Sequence, residues 1–212
     1  MSRGELMAVS PLDGRYASAT SELAPIVSEY GLIKNRVAVE AAWLETLGSG
    51  MLPDVPALPR DSVDALRDYA AEFSEDDAVR VKEIEKTTNH DVKAVELWLK
   101  EKLADHGGFE DYLELIHFGC TSEDINNLAY AMMLRDARDQ VLLPAIDRIG
   151  EDLESKAHDS ADLALLARTH GQPATPTTVG KEMAVFVGRL SKSATALGQV
   201  AIFGKFNGAT GN

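Results

Sequence analysis

The chain has 212 residues, of which 45% are hydrophobic, a formal net charge of −13 and a single cysteine, Cys120. A chain of this length can bury a sizeable core unaided, and one cysteine excludes both an internal disulfide and a metal site built on clustered cysteines. The acidic balance argues against nucleic-acid binding through a broad basic face. Residues 1–10 contain no apolar stretch of signal-peptide length, and every apolar run is far shorter than the ~20 residues of a membrane span. We therefore expect a protein of the reducing cytoplasm without a membrane segment.

The first half of the chain is dominated by helical periodicity. Apolar residues spaced by three, four or seven positions predict one helix face along Leu23, Val27, Tyr30, Val37, Ala41 and Leu44. Gly31 interrupts this pattern and predicts a break, and the Gly- and Pro-rich residues 48–59 predict a loop. Ser74 followed by Asp77 is typical of a capped helix start. A further helix is predicted over residues 91–103, ending near Gly107.

From about Thr121 onward the apolar stripes become longer. The last and longest is formed by Val179, Met183, Phe186, Leu190, Ala194 and Leu197. Pro144 kinks a helix or begins a new one, residues 171–176 are expected to form a loop, and residues 163–166 a strand or a buried extended segment. Long stripes usually pack in a bundle. We predict an all-α fold with a small N-terminal helical domain over residues 1–110 and the first part of a long-helix bundle over residues 111–212.

Four polar clusters lie beside predicted helix starts or tight turns: residues 13–16, 87–91, 120–124 and 168–173. Free N–H groups at helix starts suit phosphates and carboxylates. Taken singly, each cluster also has a purely structural interpretation, because Ser, Thr and Asn cap helices and Asp-Gly is a common turn pair. His170 is the strongest single candidate, since it lies in a polar loop and histidine is the usual acid–base group near neutral pH.

The other histidines give weaker signals. His106 and His158 lie in charged segments typical of a surface, and His117 lies in an apolar run, which favours a packing role. No two of the five histidines have the i,i+4 spacing of a helical zinc motif, so we expect no metal. The sequence also lacks a glycine-rich nucleotide loop and a Gly-x-Ser-x-Gly nucleophile turn.

Taken together and in order, the clusters extend into five long motifs. They are AVSPLDGRY (8–16), SEYGLIK (28–34), TTNHDVKAVE (87–96), HFGCTSEDINN (117–127) and RTHGQPATPTTVGKE (168–182). These motifs closely resemble those of the adenylosuccinate lyase family, in the fumarase/aspartase superfamily, and the likeness runs from about Ala8 to Asn212. The resemblance implies an all-helical fold, a central bundle assembled into homotetramers, and active sites where several subunits meet.

The resemblance also implies a reaction and roles for individual residues. The family eliminates fumarate from adenylosuccinate, giving AMP, and from the related succinylcarboxamide ribonucleotide, without a metal or organic cofactor. His170 would be the general acid that protonates the leaving nitrogen, supported by His90. The implied substrate-binding residues are Arg15 and Tyr16 for the phosphate, Asn89, His90 and Asp91 for the nucleotide, Thr121 and Ser122 for a succinyl carboxylate, and Gln172.

Family members are much longer, and the loop that carries their serine base comes later than residue 212. We therefore expect the chain to be an N-terminal portion that is inactive alone. Two alternatives remain at this point. One is another superfamily enzyme, such as argininosuccinate lyase, aspartase or fumarase, against which the segments 87–91 and 171–176 argue. The other is a non-catalytic helical module that binds a nucleotide or pairs with a longer lyase.

Overall fold

The computed structural model describes residues 6–50, 52–53 and 55–211. Residues 1–5, part of the segment considered for a signal peptide, lie outside the described residues. Those described within Met1–Arg135 and Ile202–Asn212 form one compact unit, and Asp136–Ala201 form a second. Each unit is described by itself below. The predicted domains over residues 1–110 and 111–212 stay a prediction.

The first unit is helical. Its helices are α1 (Ala24–Val27), α2 (Glu29–Leu47), α3 (Arg60–Ala71), α4 (Glu75–Thr88), α5 (Asp91–His106) and α6 (Ser122–Asp136), whose last residue belongs to the second unit. Single 3-10 turns occupy Ser21–Leu23 and Leu113–Leu115. The core is formed where α2, α3, α4 and α5 pack together, and its largest fully buried side chains include Trp98, Phe109 and Leu44.

Capping residues set where these helices begin. Ser74 and Asp77 form the predicted capping box, with each side chain accepting the other's backbone N–H. The predicted break at Gly31 is wrong, because the break lies at Ser28, whose hydroxyl accepts the Gly31 N–H at 3.3 Å. Glycine is needed at position 31 for a different reason, since a Cβ there would lie 2.2 Å from the Ile26 carbonyl oxygen.

The second unit contains two helices and a hairpin. A π-helical segment, Ala137–Leu142, leads into α7 (Leu143–Asp159); the antiparallel strands β1 (Ala164–Thr169) and β2 (Gln172–Thr178) follow, and then α8 (Val179–Gly198). Pro144 lies in the first turn of α7, so it begins a helix, where its missing N–H costs no hydrogen bond.

The hairpin corrects one sequence-based expectation and confirms another. Residues 163–166 were expected to form a strand or an extended segment, and β1 confirms the strand. The expected loop over residues 171–176 is wrong, because Gln172 and Pro173 pair with Thr169 and Arg168. A sheet of two strands has only edges, so proline is tolerated in β2 although it cannot donate to the ladder.

α7 and α8 lie in close contact at Gly180, where a Cβ would lie 2.3 Å from the Ala157 carbonyl oxygen. Further along they leave an open groove of about 530 Å³, lined in part by Leu190 and Ala194. Phe186, on the same helix, stays 56% exposed. The long apolar stripe is therefore only partly covered within this unit.

The all-α expectation is confirmed, since helices dominate the described residues and β1–β2 is their only sheet. None of the described helices combines the length and the apolar character needed to cross a lipid bilayer.

Candidate active site

His90 lies at the junction between α4 and α5. Asn89 ends α4 in the left-handed conformation, with φ of 50°, so it is a C-cap and not the helix start suggested by its residue type. His90 is the N-cap of α5, and its Nδ1 accepts the Lys93 backbone N–H at 3.1 Å. A neutral imidazole whose Nδ1 accepts must carry its proton on Nε2. His90 therefore has a fixed tautomer with a donor on its outer nitrogen.

That outer nitrogen lies 3.4 Å from the Oγ of Ser122, the first residue of α6. Two motifs that are distant in sequence, residues 87–96 and 117–127, are thus brought together at two helix starts. The His90 side chain is 50% exposed, so a ligand can reach it. The arrangement places an imidazole, a hydroxyl and backbone N–H groups side by side, which suits an anionic oxygen.

Asp91 is held by a residue that the sequence analysis did not select. Its Oδ2 accepts from Arg36 Nη2 at 2.5 Å, and Arg36 Nε donates to Asn126 Oδ1 at 2.8 Å. Burial acts to raise the pKa of Asp91, but the Val92 N–H and the Arg36 guanidinium outweigh it and hold that pKa below its usual value. The buried Arg36 therefore joins the start of α5 to α6.

Thr121 precedes α6 and is fixed by Asp124. The Thr121 N–H and hydroxyl both lie within hydrogen-bonding distance of Asp124 Oδ2, at 2.9 and 3.3 Å. The prediction that Thr121 and Ser122 mark a helix start is confirmed. The Asp124 carboxylate has a second set of partners in residues 205–208, near the end of the chain, which the sequence motifs did not indicate.

A buried acid lies behind this helix start. Glu40 is fully buried, and its Oε1 lies 2.6 Å from Nδ1 of His117. The hydrogen bond to Glu40 raises the pKa of His117, although desolvation opposes it. The expectation of a packing role describes His117 only in part, because this histidine also pairs with the buried Glu40 carboxylate. Burial raises the pKa of the nearby Cys120 thiol to about 12, which keeps it protonated and unsuited to act as a nucleophile.

Arg15 and Tyr16 lie in a turn-rich segment before the first helix. The guanidinium carbon of Arg15 stands 5.3 Å from the Tyr16 ring centroid, a cation–π contact. Tyr16 is 47% exposed and Arg15 is exposed as well. A cation and a phenol are therefore available to an anion from solvent, and their role in phosphate binding stays a prediction.

His170 and Gln172 belong to the second unit. His170 and Gly171 form the two-residue turn between β1 and β2, with φ values of 50° and 76°. Two consecutive positive φ values match the type I′ turn, whose twist suits a hairpin. The turn places His170 at the exposed tip and Gln172 at the start of β2.

Backbone conformation gives these positions something in common. Among the described residues, Asn89, His117 and His170 are the non-glycine residues with positive φ. All three fall within the motifs singled out in the sequence. A left-handed conformation is uncommon for a non-glycine residue, and such residues concentrate at functional sites. Within the residues that the structure describes, no three His, Cys, Asp or Glu side chains converge as a metal ion would require.

Comparison with known proteins places these features in a family. A family model described as "Lyase" matches residues 14–212. Adenylosuccinate lyase of Escherichia coli (strain K12) is 51% identical over the whole chain, and that of Vibrio cholerae (strain ATCC 39541 / Classical Ogawa 395 / O395) is 49% identical. The chain spans 47% of the length of each of these relatives. The resemblance inferred from the motifs is confirmed.

A solved structure supports the fold. The 3-carboxy-cis,cis-muconate lactonizing enzyme from Pseudomonas putida superposes with a TM-score of 0.69 at 23% identity, covering 99% of this chain and 44% of that one. At this identity the likeness bears on the fold alone. With residues 14–212 matched by the family model, the chain belongs to the lyase family.

Proposed function

We propose that the protein is an adenylosuccinate lyase, which eliminates fumarate from adenylosuccinate to leave AMP and from the succinylcarboxamide ribonucleotide in the same way. The observation that supports it most is the meeting of His90 and Ser122 at two helix starts. The relatives that are about half identical over this chain carry that name.

In this reaction a base removes a proton from the carbon beside a succinyl carboxylate. The electron pair forms the carbon–carbon double bond of fumarate, and the carbon–nitrogen bond breaks as an acid protonates the departing nitrogen. We assign the acid to His170, since its imidazole stands exposed at a hairpin tip and histidine is the usual side chain for general acid–base catalysis. The base is assigned to a part of the protein later than residue 212, as in the resemblance.

The substrate has a phosphate at one end and two carboxylates at the other. We assign Arg15 and Tyr16 to the phosphate, and Thr121 and Ser122 to a succinyl carboxylate. Charge-assisted hydrogen bonds of this kind are about twice as strong as neutral ones. The Nε2–H of His90 points toward the Ser122 hydroxyl. We propose that His90 supports the acid by helping to hold the substrate.

Three further residues complete the proposed substrate site. Asn89 and Asp91 would flank the nucleotide beside His90, and Gln172 would donate or accept a hydrogen bond next to His170. Asp91 acts mainly by position, because Arg36 already occupies one of its oxygens. No cofactor takes part in the proposed reaction.

We further propose that the protein works as a homotetramer in the cytoplasm. The support is the partly uncovered stripe on α8, which includes the exposed Phe186. Large exposed apolar surfaces usually mark an interface. The single cysteine fits a reducing compartment.

The test is turnover by the protein in its full native length, followed through the absorbance change on adenylosuccinate cleavage. We expect kcat within the common range of about 1–10³ s⁻¹. Argininosuccinate serves as the comparison substrate. Failure to cleave adenylosuccinate, or a preference for argininosuccinate, would overturn the proposal.

A further inference from the structure

Asp124 is a buried carboxylate with partners on both of its oxygens. It is 1% exposed. Oδ2 faces Thr121, accepting the backbone N–H at 2.9 Å. Oδ1 faces residues 205–208, accepting the backbone N–H groups of Asn207 and Gly208 at 3.0 and 3.1 Å and Lys205 Nζ at 3.3 Å. One side chain therefore joins the start of α6 to a segment about eighty residues later.

The far segment is fixed by more than this carboxylate. Asn127, one turn further along α6, accepts the Lys205 N–H and donates to the Lys205 carbonyl, at 2.6 and 2.9 Å. A Cβ at Gly204 would lie 2.3 Å from Leu128 Cδ2, so the segment passes directly over the helix. The ring centroids of Phe206 and Trp43, which lies on α2, are 4.6 Å apart. Residues 204–208 are thus held against α6 and α2.

The electrostatics show why a carboxylate suits this place. Burial alone would raise the pKa of Asp124, but the Thr121 N–H, the Lys205 ammonium and the two later N–H groups lower it to about 2. The group is therefore ionised throughout the neutral range. A buried anion with both oxygens occupied is a poor contact for an anionic substrate, so its influence must pass through the groups that it holds.

We propose that Asp124 is a positioning residue that locks the Thr121–Ser122 helix start to the 205–208 turn, and so aims the Ser122 hydroxyl at a substrate carboxylate. This inference rests on the proposed function, and it adds a residue that touches no substrate. Without the carboxylate, the N–H and hydroxyl of Thr121 lose their acceptor, and the first turn of α6 is free to shift. A displacement of about 1 Å in a substrate-binding group can cost about 100-fold in rate.

The test is a double-mutant cycle in the full-length protein with Asp124→Asn, Ser122→Ala and the double variant, each measured for kcat and KM on adenylosuccinate. We expect Asp124→Asn to lower kcat/KM by about 10- to 100-fold. If Asp124 acts through Ser122, the double variant loses little more than the more damaged single variant. Independent effects would instead multiply. Multiplicative losses in a folded Asp124→Asn protein would refute the inference.

A matched control removes a charge from the same helix turn. Glu123 is exposed and adjacent, and Glu123→Gln should change kcat/KM by no more than about twofold, because exposed charges are worth little. Circular dichroism and the thermal midpoint establish whether each variant is folded. A Glu123→Gln loss as large as that of Asp124→Asn would show that helix-start charge, not positioning, is what matters.

Lys205→Met keeps the inference testable if Asp124→Asn does not fold. It removes the ammonium, which also donates to the Gly208 carbonyl at 2.6 Å, while Asn127 still holds the Lys205 backbone. We expect a smaller fall in kcat/KM, again not multiplicative with Ser122→Ala; multiplicative losses would refute the inference. The unmodified protein, in the same assay, separates the two ideas. If it does not cleave adenylosuccinate, the proposed function fails and takes this inference with it, whereas turnover with multiplicative losses overturns the inference alone.

Discussion

The imidazole of His90 and the hydroxyl of Ser122 lie 3.4 Å apart although the residues are 32 positions apart in the chain. Nδ1 of His90 is already an acceptor for the Lys93 N–H, so the hydrogen on Nε2 is the one directed at Ser122. The pair is the point at which two of the sequence motifs meet.

Replacing Ser122 with alanine should weaken the binding of the substrate carboxylate. Hydrogen bonds to charged groups contribute about 1.5–3 kcal/mol, so kcat/KM on adenylosuccinate should fall by about 10- to 100-fold. Steady-state kinetics on the full-length protein measures this. Ser49→Ala, at an exposed turn serine, is the control and should behave like the unmodified protein. An unchanged kcat/KM in Ser122→Ala would mean that Ser122 serves only as the first residue of the helix.

Replacing His170 with alanine should remove most of kcat and leave nucleotide binding largely intact. General acid catalysis contributes about 10²–10⁴-fold to the rate. The His170 ring is exposed at the hairpin tip, so its removal leaves no cavity in the core. Turnover and calorimetric titration with AMP report on the two properties separately. The control is His158→Ala, at an exposed histidine of α7. A normal kcat would transfer the acid role elsewhere, with His90 as the next candidate.

The 212-residue chain by itself should show no measurable cleavage of adenylosuccinate. The resemblance assigns the base to a later part of the protein, and an acid without its base cannot carry the elimination efficiently. The absorbance assay on the homogeneous 22.9 kDa chain tests this. The full-length protein serves as the positive control, and robust turnover by the short chain would mean that the base is among its own residues.

The Glu40–His117 pair should make stability fall as pH rises. The pKa of His117 is raised in the folded state by the Glu40 carboxylate, so its stabilisation is complete below about pH 6.5, the ordinary value for histidine, and is lost as pH passes through the raised pKa. Each unit of pKa shift corresponds to about 1.4 kcal/mol. Urea unfolding of the full-length protein at a series of pH values from 6 upward measures the trend.

The variant that tests this is His117→Asn, because asparagine tolerates the positive φ of 62° at this position. It should flatten the dependence of the unfolding free energy on pH above about 6.5. His158→Asn, at a histidine on the surface of α7, should keep the slope. An equal slope in all three proteins would mean that His117 does not contribute to it.

Phe186→Asp should weaken self-association of the full-length protein. The ring is 56% exposed in the chain alone, and burying a phenylalanine contributes about 1.5–3 kcal/mol, enough to change a dissociation constant at least about tenfold. Light scattering over a range of concentrations measures the assembly. Lys192→Asp, on another face of α8, is the control. A Phe186→Asp protein that assembles normally would exclude this stripe from the interface.

The sequence by itself determined the helices, several of their ends and the family. The capping box at Ser74, the stop at Gly107 and the start at Ser122 followed from local rules that depend on near neighbours in the chain. The motif order was enough to identify the resemblance. A regular helix and its caps are formed by residues within about four positions of each other, which a sequence displays directly.

Only the tertiary structure decided which distant residues meet. Three ion pairs join elements that are far apart in the chain: Arg36 with Asp91, Glu40 with His117, and Asp124 with Lys205. In the sequence, these residues cannot be told apart from charged residues on the solvated surface. Their importance comes from burial, because a buried charge needs a partner whereas an exposed one does not. The second strand of the hairpin around His170, β2, was missed for a similar reason: a strand is defined by its pairing, which short-range patterns do not show.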